Sequence, residues 1–113
     1  YLVAPGLAAI HGWSYAASAA RKHLELSQGM SMIYGHTHRA DHVQVQSVWG
    51  KQPLEAISCG CLCNLTPSYK NGQPNAWTHG FVLGYIGSRS HTLYFIPIHK
   101  GCCVLPDGKE IKI

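Results

Sequence analysis

Residues 7–39, LAAIHGWSYAASAARKHLELSQGMSMIYGHTHR, decide the fold. The run Leu7-Ala8-Ala9-Ile10 is short and apolar, consistent with a buried strand, and it ends at His11-Gly12. Ser14 predicts the N-cap of a helix that runs to about Gln28. That segment is rich in alanine (Ala16, Ala17, Ala19, Ala20). Leu24 follows Ala20 by four residues, and Arg21, Lys22 and Glu25 fall largely on another face. Gly29 stands where a helix C-terminus favours a residue free to take positive φ. Met30 to Tyr34 predicts a second apolar strand, closed by Gly35-His36-Thr37-His38-Arg39. Strand, helix, strand is a β-α-β unit. Both histidine groups then fall just past the carboxyl ends of strands, where open α/β sheets place their sites.

Beyond Asp41 the texture changes. His42 to Trp49 alternates polar and apolar residues with period two, the mark of a half-exposed strand. Gly50-Lys51-Gln52-Pro53 predicts a turn and Leu54 to Cys59 a returning strand, which makes a hairpin. Asn64 to Trp77 carries Pro67, Asn71-Gly72 and Pro74, so it reads as a long loop. Gly80 to Ile86, His91 to His99 and Gly101 to Leu105 read as strands, and Pro106-Asp107-Gly108 turns into a last one, Lys109 to Ile113. The expected fold class is α/β, one β-α-β unit followed by antiparallel strands, with no internal repeat.

The 113 residues allow one domain at most. An apolar fraction of 46% against 12% charged residues excludes a disordered chain and leaves little charge to cover the surface. Part of that surface is expected to be apolar and to pack on another domain or subunit. The net charge of +4 is mild and its Lys and Arg residues are scattered, so a nucleic-acid stripe is not indicated. No apolar run is long enough to span a membrane. The opening Tyr1-Leu2-Val3-Ala4-Pro5-Gly6 has no initiator Met and no basic signal flank, and it suggests a start inside a longer gene product. Five cysteines (Cys59, Cys61, Cys63, Cys102, Cys103) are an odd number in a tight pattern. They read as reduced, cytoplasmic thiols, mostly small hydrophobes in strands. A thiolate metal site is the alternative for Cys59-x-Cys61-x-Cys63, although that spacing lacks the knuckle of zinc ribbons.

Eight histidines are many for this length, and their placement says more than their number. His36 and His38 are two apart, so an extended segment would point both rings to one side. Gly35 lets the backbone turn toward one cavity. Imidazoles at a mixed nitrogen and oxygen site suit zinc, iron, nickel or manganese. His11, at the end of the neighbouring parallel strand, is expected beside His36. His23 reads as a helix-face residue, His42 and His91 as strand-edge residues, and His99 as a strand-end one. His79 could line the site from the long loop.

Strand, His11-Gly12, helix, apolar strand, then Gly35-His36-Thr37-His38-Arg39 resembles the last two signature blocks of the calcineurin-like metallophosphoesterases. The resemblance covers residues 7–62 and, more loosely, the tail. It implies that the chain is the C-terminal part of one such domain, half of a four-layer β-sandwich. It also implies a centre of two divalent metal ions, manganese before iron, zinc or nickel. His11 and His36 resemble ligands of the second ion and His38 a ligand of the first. The implied activity is hydrolysis of a phosphomonoester or phosphodiester, with Arg39 meeting the substrate phosphate through its fork of N–H donors. Ser58-Cys59-Gly60-Cys61 stands where the family has an N-P-G-S-like turn, without its proline. The family's D-x-H, G-D-x-x-D and G-N-H blocks are not in this chain. A missing N-terminal half or another chain is therefore expected to supply the carboxylates, and the chain alone is expected to be inactive.

The rival class is a non-catalytic β-rich binding module with His36 and His38 on its surface. A cupin also uses His-x-His, but it needs a carboxylate a few residues later, which Asp41-His42 and the alternation after it do not provide. An amidohydrolase barrel does not fit the remaining length.

Overall fold

A computed structural model describes residues 1–46 and 52–112. The outer part of the expected strand His42–Trp49, the start of the Gly50–Pro53 turn and the terminal Ile113 lie outside the described residues.

The chain opens with a tight antiparallel pair, β1 (Leu2–Ala4) and β2 (Leu7–Ile10), turned at Pro5-Gly6. Helix α1 (Ala19–Leu26) crosses from β2 to β3 (Ser31–Tyr34), and β2 and β3 are parallel, with Ile10 beside Tyr34. The β-α-β unit is as expected. β4 (His42–Val45) and β5 (Leu54–Ser58) form the expected antiparallel hairpin. β5 also pairs in parallel with β3, so the five-stranded sheet runs β1-β2-β3-β5-β4. A single 3-10 turn, Ser68–Lys70, interrupts the long loop. The long hairpin β6 (Gly80–Ile86) and β7 (His91–Pro97) follows, then the short pair β8 (Cys102–Val104) and β9 (Glu110–Lys112). The result is a mixed α/β fold, mostly strand with one α-helix among the described residues. No helix among the described residues is long and apolar enough to cross a membrane.

The period-two alternation of the strands divides the core into two layers. On one face Met32, Tyr34 and Ala56 bury against Ala19 and Ala20 of α1. On the other, Leu7 and Ile57 meet Leu93 of β7, flanked by Ile33, Val82 and Phe95. Sealing side chains as large as Leu7 and Ile57 stabilises by about 1.5–3 kcal/mol each. The helix and the long hairpin therefore clamp the sheet, and the carboxyl ends of β2, β3 and β5 open together at one end.

Helix α1 starts five residues after Ser14, at Ala19. Ser14 caps a local turn, its Oγ accepting from the Ala16 amide at 3.2 Å. The helix end is capped from a distance: the Ala20 amide donates to Asp41 Oδ2 at 2.9 Å. Residues 13 to 18 are held out of the helix by long-range partners. The Trp13 amide donates to His23 Nε2 at 3.2 Å, and the Ala16 carbonyl accepts from Arg39 at 2.7 Å. The expected surface hydrophobes are present, since Tyr1, Leu2, Trp13 and Tyr15 stand more than half exposed at 91%, 62%, 51% and 77%.

Candidate metal centre

Parallel pairing of β2 with β3 brings the residues after each strand side by side. The Gly35 amide donates to the His11 carbonyl at 2.9 Å, and His11 Nε2 lies 3.1 Å from His36 Nδ1. The two rings meet edge to face, and the Tyr15 ring covers His36 at 4.0 Å between centroids. Gly12 makes the approach possible. Its φ is +99°, and a Cβ there would stand 3.3 Å from His36 Cβ and 3.2 Å from His23 Nε2.

His36 and His38 both adopt left-handed backbone, with φ of 73° and 59°. For residues other than glycine such geometry costs about 1–3 kcal/mol each and concentrates at functional sites. A three-residue turn centred on His36, the Thr37 amide donating to the Gly35 carbonyl at 2.8 Å, sends the two histidines to different neighbours. His36 Nε2 and Thr37 Oγ1 are buried with no hydrogen-bond partner among the described residues. Buried polar atoms are nearly always paired, with protein, ordered water or a ligand, so these two atoms call for a partner beyond the described side chains.

His38 turns away from the His11–His36 pair. Its ring packs against Trp77 at 4.5 Å, and its Nδ1 lies 3.8 Å from Cys63 Sγ. One ligand atom each from His38, Cys61 and Cys63 lie within 4.8 Å of one another, the sole group of this kind among the described residues. The three expected ligands are thus split, with His11 and His36 together and His38 among thiols. Cys61 and Cys63 are in no strand. Cys61 makes an isolated bridge to His79, and Cys63 is exposed in the loop. Burial pushes the Cys61 thiol above its ordinary pKa, with the hydrogen bond to Cys63 adding to the effect. Burial alone does the same for Cys59. All five cysteines are free thiols.

Arg39 borders an open hollow of about 220 Å³ with Tyr15, Thr37, Ala76 and Trp77. One guanidinium nitrogen is engaged by the Ala16 carbonyl. A larger hollow of about 330 Å³ lies at the opposite end of the sheet, between Gly6, Ser31, Leu54 and His91. It sits at the amino ends of the parallel strands, away from the histidines, so its size does not make it the site.

The other histidines serve the fold. His23 is fully buried, stacked on Tyr34 at 4.1 Å. Accepting from Trp13 at Nε2 leaves its Nδ1–H to donate to the Ala19 carbonyl at 2.7 Å. His42 and His91 both contact the buried Glu55 carboxylate, at 2.7 and 3.1 Å. His79 donates to the Cys63 carbonyl, which brings it to the thiol group rather than to His36. Asp41, unremarkable in the sequence, proves central: it caps α1 and accepts from the Tyr34 hydroxyl at 3.2 Å.

No protein-family model, no curated protein and no solved structure matches this chain. The phosphoesterase likeness rests on the histidine blocks and their place at the strand ends.

Proposed function

We propose that this chain supplies part of the metal site of a calcineurin-like phosphoester hydrolase, with His11 and His36 as ligands of one divalent ion. The observation that carries the reading is the 3.1 Å between His11 Nε2 and His36 Nδ1 at adjacent carboxyl ends of parallel strands. At metal–nitrogen bonds of about 2.0–2.1 Å, two imidazoles on one ion stand roughly 3.0–3.4 Å apart. The donor pair fits an ion, and the unpartnered His36 Nε2, the ring's other nitrogen, would take a hydrogen-bond partner that orients the ligand. Imidazoles bring no negative charge, so the reading needs carboxylates from a segment outside this chain before a second dication can sit nearby. His38 belongs to that second ion in the family pattern.

Two divalent ions, manganese before iron, zinc or nickel, would lower the pKa of water and neutralise charge on a phosphoryl group. The chain's own residues bind and orient. His11 and His36 fix one ion, and Gly12 sets their spacing. Arg39, with one nitrogen anchored on Ala16, presents its remaining donors to a substrate phosphate in the hollow beside Thr37. Exposed Trp13 and Tyr15 support a covering segment on this face. The five free thiols support a reducing, cytoplasmic setting.

The test is manganese-dependent hydrolysis of bis-p-nitrophenyl phosphate by the protein extended with its carboxylate-bearing segment. Losing support around a metal ligand typically costs ~10–100-fold, so His11→Ala and His36→Ala are expected to cost more. The 113 residues alone are expected to be inactive. Normal rates in the extended His36→Ala protein would reject the reading in favour of a binding module.

A further inference from the structure

We infer that His38, Cys61 and Cys63 form a separate site for one thiophilic divalent ion of the zinc class. The inference stands apart from the hydrolytic reading, which uses neither thiol. His38 is the one residue that both claim.

The geometry is close to that of a loaded site. With metal–nitrogen bonds of about 2.05 Å and metal–sulfur bonds of about 2.3 Å, tetrahedral ligands stand roughly 3.6 Å (nitrogen to sulfur) and 3.8 Å (sulfur to sulfur) apart. His38 Nδ1 and Cys63 Sγ are 3.8 Å apart, and no pair among the chosen ligand atoms exceeds 4.8 Å. Closing the trio on an ion therefore needs shifts of about 1 Å or less.

The backbone also holds these residues in place. The Thr78 amide donates to the His38 carbonyl at 2.7 Å, and the Thr78 carbonyl accepts from the Cys61 amide at 3.0 Å. One residue thus pins two of the ligands. His79 Nε2 donates to the Cys63 carbonyl and pins the third. Trp77 walls the His38 ring. Gly60 lets the chain pass close to Thr78, whose carbonyl oxygen would lie 2.6 Å from an added Cβ.

Donor chemistry selects the ion. Two thiolates and an imidazole are soft donors that suit zinc and disfavour manganese or magnesium. Binding releases two thiol protons to solvent, and the two thiolates neutralise the dication within the chain. The three protein ligands leave one tetrahedral position for water, beside the exposed Cys63.

Cobalt substitution of the purified 113-residue chain under reducing conditions tests the inference. One equivalent of Co²⁺ is expected to give a sulfur-to-cobalt charge-transfer band and the intense visible bands of a tetrahedral ion. Zinc should displace both. Cys63→Ser, at an exposed position, should weaken binding by more than ~100-fold, exceeding the effect of losing outer support. Cys61→Ser should do the same, whereas Cys102→Ser should keep the spectrum. X-ray absorption of the unmutated zinc-loaded chain needs no variant and should show two sulfur neighbours at about 2.3 Å. Only nitrogen and oxygen neighbours, or bands that survive both Cys61→Ser and Cys63→Ser, would overturn the site. Hydrolysis by the extended protein is a separate readout, so the two ideas can fail independently.

Discussion

A methyl group on Gly12 would stand 3.3 Å from the Cβ of His36, so the spacing of the two strand-end histidines depends on that position lacking a side chain. The φ of +99° adds a second penalty, because L side chains rarely adopt it. Gly12→Ala is expected to destabilise the chain by about 1–3 kcal/mol, from backbone strain alone. Urea denaturation measures the loss. The ring of His23, 3.2 Å away on the other side, leaves little room for relief. An unchanged midpoint would mean that the His11-Gly12 turn rearranges freely.

The Tyr34–Asp41 contact predicts an alkaline limb. Burial first, then the Asp41 charge and the hydrogen bond to it, raise the Tyr34 hydroxyl well above its ordinary pKa. A phenol in the unfolded chain ionises near pH 10, at about 10. Stability from this group is therefore complete below that pH. It is lost as pH rises through the gap, because the unfolded state releases its proton first. Tyr34→Phe is expected to cost about 1 kcal/mol at neutral pH and to flatten stability between about pH 10 and 11 relative to the parent. Equal slopes in the two proteins would contradict the pairing.

What could be read from the sequence was what depends on near neighbours. The apolar runs at Leu7–Ile10 and Met30–Tyr34, with Gly29 before the second, fix a β-α-β unit through local pattern. Gly80–Ile86 emerges at its expected bounds for the same reason. The start of α1 was not legible, because Asp41 and Arg39, far along the chain, and His23, within the helix itself, hold residues 13 to 20. Parallel pairing of β5 with β3 was hidden, since the hairpin alone fixes only the β4 edge. In the candidate site, the His11–His36 contact follows from strand adjacency. The neighbours of His38, namely Cys61, Cys63 and Trp77, were not legible, because they come from residues 61–77 far along the chain, where Trp77-Thr78-His79 carries no motif that assigns them.

Glu55 links the sheet to the long hairpin. It is 6% exposed, and its two oxygens contact His42 on β4 and His91 on β7, with Gln44 donating at 3.2 Å. Removing one partner of a buried hydrogen-bonded group costs about 1–3 kcal/mol. Glu55→Ala should exceed either histidine substitution, since it strands three donors at once. A double-mutant cycle of Glu55→Ala with His91→Ala should show a coupling of about 0.5–3 kcal/mol. Strict additivity would mean that β7 is held by the Leu7, Ile57 and Leu93 cluster alone.

Arg39 separates substrate contact from scaffold, and it does so within the hydrolytic reading. Its guanidinium gives one donor to the Ala16 carbonyl at 2.7 Å and borders the hollow beside Thr37 with the rest. Losing the Ala16 bond should cost the isolated chain about 1 kcal/mol, the usual worth of such a bond. Losing a phosphate contact should instead act on binding. In the extended, manganese-loaded protein, Arg39→Ala is expected to raise KM for a phosphodiester about tenfold, equivalent to ~1.4 kcal/mol, with kcat little changed. Metal content should stay at the parent level, because Arg39 brings no ligand atom. Arg39→Lys keeps the charge but not the planar fork, so it should recover stability better than it recovers KM. A fall in kcat at constant KM, repaired by lysine, would show that Arg39 works through the Ala16 turn and the Tyr15 ring over His36, without touching phosphate.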